Sequence, residues 1–385
     1  MPSSVHPQDN PYAAKWLEAP DGVIPLTIAD MDWPTDPLIT EAISRRLAYP
    51  LAYPPPYTTD GLGEVLAHYY QSRYGADVRS ECFWLLAGTV SAAYLICKEI
   101  LQPEDEALYL APSYRWIPSA IEQAGARAVP VPLDATHTPA LTNSALKRRI
   151  TPRTRAIYLC NPHNPTGHVL TRVELQTIAD IAREHNLSII SNEIHSRLVL
   201  DHHQHHIPIS TLSQDAAHRT ITLDGPTKSH NLAGLGGVIL WSPDVGIVDR
   251  FRQRLSHCAA PARALHRAAI EVAYQGDSSW LKETIDKLRH NRDLVTRALS
   301  PYGDRITYQP GAATYFAWID FHDLFGELSA AQALASHGIQ LEPGLEFGAS
   351  DRYARLAFAT TPELLKTALA RLTAALDLFL TKGPK

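Results

Sequence analysis

From about residue 80 to residue 245 the apolar positions fall in short runs separated by longer mixed stretches. The runs are Ala107–Ala111, Arg155–Cys160, Ser188–Ser191, Arg219–Leu223 and Gly237–Trp241. Each is too short for a buried helix and long enough for a strand buried on both faces. Between them stand helical patterns such as RVELQTIADIAREHN at 172–186. Strands alternating with helices predict a mostly parallel sheet covered on both sides. Upstream, TDPLITEAISRRL reads as a helix with Asp36 as N-cap and Pro37 in its first turn. AYPLAYPPPY at 48–57 then reads as a stiff extended loop.

After about residue 262 the texture changes. One long helical stretch, Ala264–Leu299, leads to a strand at 314–321 (TYFAWIDF) and to an amphipathic C-terminal helix, Pro362–Leu380. The expectation is an α/β chain with a large domain over 36–262. A smaller α+β domain is built from 1–35 plus 263–385.

Composition narrows the function classes. With 385 residues, 45% hydrophobic and 19% charged, the chain reads as globular. A net charge of −5 gives no electrostatic case for nucleic acid or for an anionic membrane surface. No run approaches a membrane span, and the first residues lack the apolar core of a signal peptide. The four cysteines, Cys82, Cys97, Cys160 and Cys258, have no paired spacing and read as reduced thiols of a cytoplasmic protein. DHHQHH at 201–206 invites a metal reading, but it lacks a distant ligand pair at suitable spacing, so no metal is expected.

Ligands of open α/β sheets bind beyond the carboxyl ends of the strands. Three polar stretches fall there: NPHNPTG (161–167), NEIH (192–195) and DGPTK (224–228). A fourth, AGTVSAAY (87–94), runs from a strand-like segment into a helix. Its backbone N–H groups would suit a phosphate. Lys228 stands alone among small and apolar neighbours, where desolvation favours a neutral, nucleophilic amine.

Taken together these stretches resemble the aminotransferase fold, fold type I of the pyridoxal 5′-phosphate (PLP) enzymes, in which a mostly parallel central sheet is joined to a smaller α+β domain. IADMDWPTDPLI, NEIHSRLVL, PTKSHNLAGL and TYFAWIDF look most like the MalY/PatB-type cystathionine β-lyases, a C–S lyase branch. The resemblance implies PLP held by Lys228 as a Schiff base, with the same lysine acting later at Cα. It implies Asn164 on the phenolic oxygen, Tyr114 stacked on the ring and Ile194 on the opposite face. Thr89 and Val90 would offer N–H groups to the phosphate, and Thr227 a hydroxyl. Tyr53 would reach the phosphate of a neighbouring subunit in a homodimer with shared active sites. Arg355 would clamp the substrate α-carboxylate. The implied substrate is an amino acid with sulfur at Cβ.

Four positions depart from that pattern. Asn192 stands where the family has the aspartate that keeps the ring nitrogen protonated, so the ring is a weaker electron sink. Gly225 occupies a common serine position, His230 an aromatic one and Ala357 an asparagine one. These changes suggest an unusual cysteine S-conjugate, as in the tailoring enzymes of lincosamide antibiotic pathways. The leading expectation is β-elimination. The rivals are decarboxylation coupled to oxidative deamination, and transamination.

Overall fold

In the computed structural model the described residues are 7–53, 61–133 and 141–382. They form two sheets. The larger has seven strands, β2 (Phe83–Leu86), β3 (Glu106–Ala111), β4 (Arg127–Pro132), β5 (Thr154–Cys160), β6 (Ser188–Asn192), β7 (Thr220–Asp224) and β8 (Val238–Trp241), in the order β2-β8-β7-β6-β5-β3-β4. The smaller contains β1 (Ile24–Leu26), β9 (Thr307–Tyr308), β10 (Phe316–Asp320), β11 (Ile339–Pro343) and β12 (Tyr353–Ala357), ordered β1-β11-β12-β10-β9. The early strand β1 thus pairs, in parallel, with a strand more than 300 residues later.

In the large sheet only β8 runs against its neighbours, antiparallel to both β2 and β7. The 225–237 loop between β7 and β8 therefore lies wholly at the carboxyl edge, together with the segments that follow β2, β5 and β6. Alternation along β5 shows how both faces are covered. Ala156 and Tyr158 pack with helices 89–100, 116–123 and 245–255, whereas Ile157 and Leu159 pack toward helix 172–184. This two-sided burial is why the strands read as continuous apolar runs.

The helix at Pro37–Leu47 starts where the sequence indicates, with the Asp36 side chain accepting from Leu38 N. The 172–184 helix begins with a capping box in which Thr171 and Glu174 satisfy each other's backbone N–H groups. The C-terminal helix spans Pro362–Lys382. The long stretch 264–299 differs from expectation, because it is two helices, Ala264–Tyr274 and Ser279–Leu299. Gly276 sits between them at φ 151°, and the Ser278 hydroxyl caps the second helix at Leu281 N. An apolar period continued across this break because both helices bury one face. They bury it differently, since the 264–274 helix packs against the helices at 37–47 and 62–74, whereas Leu288, Val295 and Leu299 belong to the small-sheet core. Residues 54–57 of the proline-rich loop lie outside the described residues.

Candidate active site

A cavity of about 750 Å³ opens at the carboxyl edge of the large sheet and is closed on its far side by the small sheet and the N-terminal segment. Of the residues singled out from sequence, Thr89, Val90, Tyr114, Asn164, Asn192, Ile194, Lys228 and Arg355 line it. They come from six separate segments, five at or after the carboxyl ends of β2, β3, β5, β6 and β7 and the sixth, Arg355, within β12. Two expected residues are not among the lining. Thr227 is buried beside Lys228. Tyr53 is 89% exposed, with the Arg263 guanidinium over its ring at 5.7 Å.

Lys228 is half-buried, and its Nζ donates to Ala29 O at 2.9 Å. Burial, and then the nearby Arg355 charge, pull its pKa from 10.5 to about 8 against a small opposing pull from Asp30. The sequence-based expectation of a desolvated amine thus has a structural cause. Lys15 makes a useful contrast. It is buried and also at the cavity wall, but it is ion-paired to Asp30 at 2.7 Å and Asp32 at 2.9 Å.

Arg355, on β12, is 2% exposed. Its Nη1 donates to Asn164 Oδ1 at 3.0 Å and its Nη2 to Thr27 O at 2.7 Å. Its Cζ lies 4.1 Å from the Phe316 ring centroid and 4.9 Å from that of Phe347. Among the described residues its Nε has no hydrogen-bond partner. The side chain is thus fixed by two bonds and two aromatic faces, with donor capacity left over. Asn164 and Arg355, 191 positions apart in sequence, are parts of one constellation.

The Lys228 loop explains one departure noted above. A Cβ on Gly225 would lie 2.8 Å from Gly237 O and 3.3 Å from Val238 Cα. The approach of Gly237, just before β8, is so close that a serine here would force the backbone to shift. Just below, Asp224 is completely buried, taking hydrogen bonds from Tyr70 Oη (2.8 Å), Ser196 Oγ (3.2 Å) and Gly225 N (2.7 Å). His230 is buried and stacks on Trp280, so an aromatic-like role for the ring persists, directed at Trp280.

Several wall residues were given no role from the sequence. Tyr158 lines the cavity, and its hydroxyl faces the Asn192 side chain without the geometry of a full hydrogen bond. Pairing of Cys160 with Asn192 across β5 and β6 puts the two residues side by side, and Tyr158 lies on the Cys160 face of its strand. His195 is buried and drawn down to about 3, by desolvation first and then by Lys228 and Arg355, so it is neutral. It lies in the NEIH stretch, but the charges that surround it carry no local sequence signal. Thr27 and Ala29 supply backbone carbonyls to Arg355 and Lys228, so their side-chain identities do not signal the contact, although Ala29 lies in the IADMDWPTDPLI stretch.

The carboxylates in the lining are Glu18, Glu342 and Glu346. None follows β5, β6 or β7. Nearby Glu193 is engaged by His206 at 2.8 Å and by Ser191. Among the described residues, no lining carboxylate from the ends of β5, β6 or β7 stands in for the charge missing at position 192. In the 201–206 tract, His206 is buried on Glu193 while His202, His203 and His205 are exposed. Among the described residues no cluster of three or more His, Cys, Asp or Glu has the arrangement of a metal site. Nor is any described helix long and apolar enough to cross a membrane. The cysteines are all free; Cys82, Cys97 and Cys160 are buried and Cys258 is exposed.

A family model for aminotransferase class I and II matches residues 23–372. The cystathionine β-lyase PatB of Bacillus subtilis (strain 168) is 28% identical over 362 residues, covering 92% of each chain. The crystal structure of OvoB superposes with a TM-score of 0.89 at 30% identity, covering 95% of this chain and 96% of that one. Cystalysin from Treponema denticola, whose structure contains a pyridoxal 5′-phosphate cofactor, gives a TM-score of 0.89 at 25% identity over 96% and 97% of the two chains. Aminotransferases also occur among the relatives.

Proposed function

Because the chain belongs to the aminotransferase class I and II family, we propose that it is a PLP-dependent carbon–sulfur β-lyase acting on an L-cysteine S-conjugate. The observation that carries this reading is the shared cavity of Lys228 and Arg355: a half-buried amine drawn down to about 8 beside a rigidly held guanidinium.

The residues present fit PLP. Thr89 and Val90 open the 89–100 helix and line the cavity, and free N–H groups at a helix start suit a phosphate. Tyr114 and Ile194 provide walls for a flat ring, Asn164 an amide for its oxygen, and Asn192 with Tyr158 two neutral polar groups for its nitrogen. When bound, the aldehyde cofactor supplies an electron-accepting ring for the pair released at Cα. Arg355 holds the α-carboxylate and so fixes which Cα bond points at Lys228. The neutral Lys228 amine takes the Cα proton. The sulfur then leaves with its bonding pair, and hydrolysis of the released enamine gives pyruvate and ammonia.

Elimination is favoured over transamination by Asn192, beside which no described lining residue from β5, β6 or β7 brings a carboxylate. A weak electron sink suits a brief carbanion that expels a good leaving group. The same weak sink keeps decarboxylation coupled to oxidative deamination as the second reading, within biosynthetic tailoring of S-conjugates. We assign Tyr53 to the neighbouring active site of a homodimer. Its exposure, beside exposed Leu47, Tyr49 and Leu51, supports a covered face. Free buried thiols suit a cytoplasmic location. The test is incubation of the protein and PLP with S-ethyl-L-cysteine. Equal yields of ethanethiol and pyruvate are expected. Carbon dioxide with oxygen uptake would favour the second reading, and formation of the pyridoxamine cofactor without thiol would favour transamination.

A further inference from the structure

The cavity extends well beyond the Lys228–Arg355 pair. Its outer part is walled by the end of the N-terminal helix at Glu18, the 330–335 helix at Gln332, and β11 at Gln340 and Glu342. Gln340 and Glu342 are two apart on one strand, so both project from the same face. Glu342 is cross-strand neighbour to Arg355, and its Oε2 is 4.0 Å from Arg355 Nη2, too far for a hydrogen bond.

The charges in this outer part do not cancel. Lys15 is shared between Asp30 and Asp32. Arg115 is paired with Glu346, and their backbones are also joined. That leaves Glu342 and the exposed Glu18, with Arg355 as the nearest cation to Glu342. Arg355 is also the group that a substrate α-carboxylate occupies in the reading above, and its buried Nε is still unpartnered among the described residues. Once that carboxylate is seated, Glu342 faces an anion unless the substrate itself brings a positive charge. Resting on the lyase reading, we propose that Glu342 is a specificity residue and that the substituent on the substrate sulfur carries a protonated nitrogen, as an ammonium or imidazolium, which it holds in the outer chamber.

The experiment compares S-(2-aminoethyl)-L-cysteine with its uncharged isostere S-propyl-L-cysteine and the anionic S-carboxymethyl-L-cysteine, on the PLP-loaded enzyme and on Glu342→Gln. A hydrogen bond to a charged group predicts a preference of about tenfold to a hundredfold in kcat/KM for the aminoethyl over the propyl conjugate. That preference should shrink as salt is added. Glu342→Gln should bring the ratio near one, chiefly through a higher KM for the aminoethyl conjugate. Equal turnover of all three conjugates by the wild type would overturn the inference and leave the lyase reading intact. So would a Glu342→Gln enzyme slowed in equal proportion on all three, which marks a merely structural role. Turnover of none of them would overturn the lyase reading itself.

Discussion

The depressed pKa of Lys228 can be tested by moving it. With an ordinary value of 10.5, about 0.03% of the amine is neutral at pH 7; at about 8 the fraction is about 9%, roughly 300-fold more. Burial is the larger cause and the Arg355 charge the second. Arg355→Met should therefore raise the value while leaving it below 10.5. Asp30→Asn should lower it further, because Asp30 opposes the shift. The assay is the initial rate at which added PLP becomes covalently attached, followed by visible absorbance from pH 6 to 11 with PLP limiting. In the wild type the rate should rise with pH and level off near 8, and in Arg355→Met it should level off higher. The same shift has a stability signature. Below pH 8 the folded apoprotein holds a charge that burial disfavours by about 3 kcal/mol. Between pH 8 and 10.5 the unfolded chain binds more protons at this position, so the lysine's penalty on stability fades as pH rises. A wild-type attachment profile that levels off only near 10.5, or an Arg355→Met profile that does not move, would refute the reasoning.

Three further outcomes follow from the geometry. Gly225→Ser should destabilise the protein by about 1–3 kcal/mol, read as a lower urea midpoint, because its Cβ must displace the Gly237 carbonyl. Tyr70→Phe leaves one oxygen of the buried Asp224 carboxylate without its donor and should lower stability by about 1–3 kcal/mol at pH 7. His163 and His195 are both drawn down to about 3, chiefly by burial, so the folded chain keeps them neutral while the unfolded chain protonates them below about 6.5. Stability should therefore fall with falling pH, by about 4 kcal/mol for the two between pH 7 and pH 5; a flat urea midpoint over that range would contradict their burial.

Much of this was legible in the chain itself. The five large-sheet runs stood out because strands buried on both faces contain few polar residues, and the loops after them held the polar clusters. β2 and β4 were less visible: β4 is an edge strand containing two prolines and mostly unburied residues. Small-sheet strands β1 and β11 are short and join only through a pairing across the whole chain, which no local pattern encodes. In the site, Lys228 was conspicuous as a lone cation among small residues. The carbonyls of Thr27 and Ala29, the Tyr158 hydroxyl and the Glu342 carboxylate carry no local signal, since each acquires meaning only from what the fold sets against it. Gly225 shows the reverse case, where a missing side chain looked like a lost contact and instead accommodates the close approach of Gly237.

The most direct test of the central claim is borohydride reduction of the PLP-soaked protein followed by peptide mapping. One phosphopyridoxyl tag should appear, on the peptide containing Lys228, while Lys15, buried and ion-paired to two aspartates, stays unmodified. No tag, or a tag spread over exposed lysines with Lys228 untouched, would contradict the account.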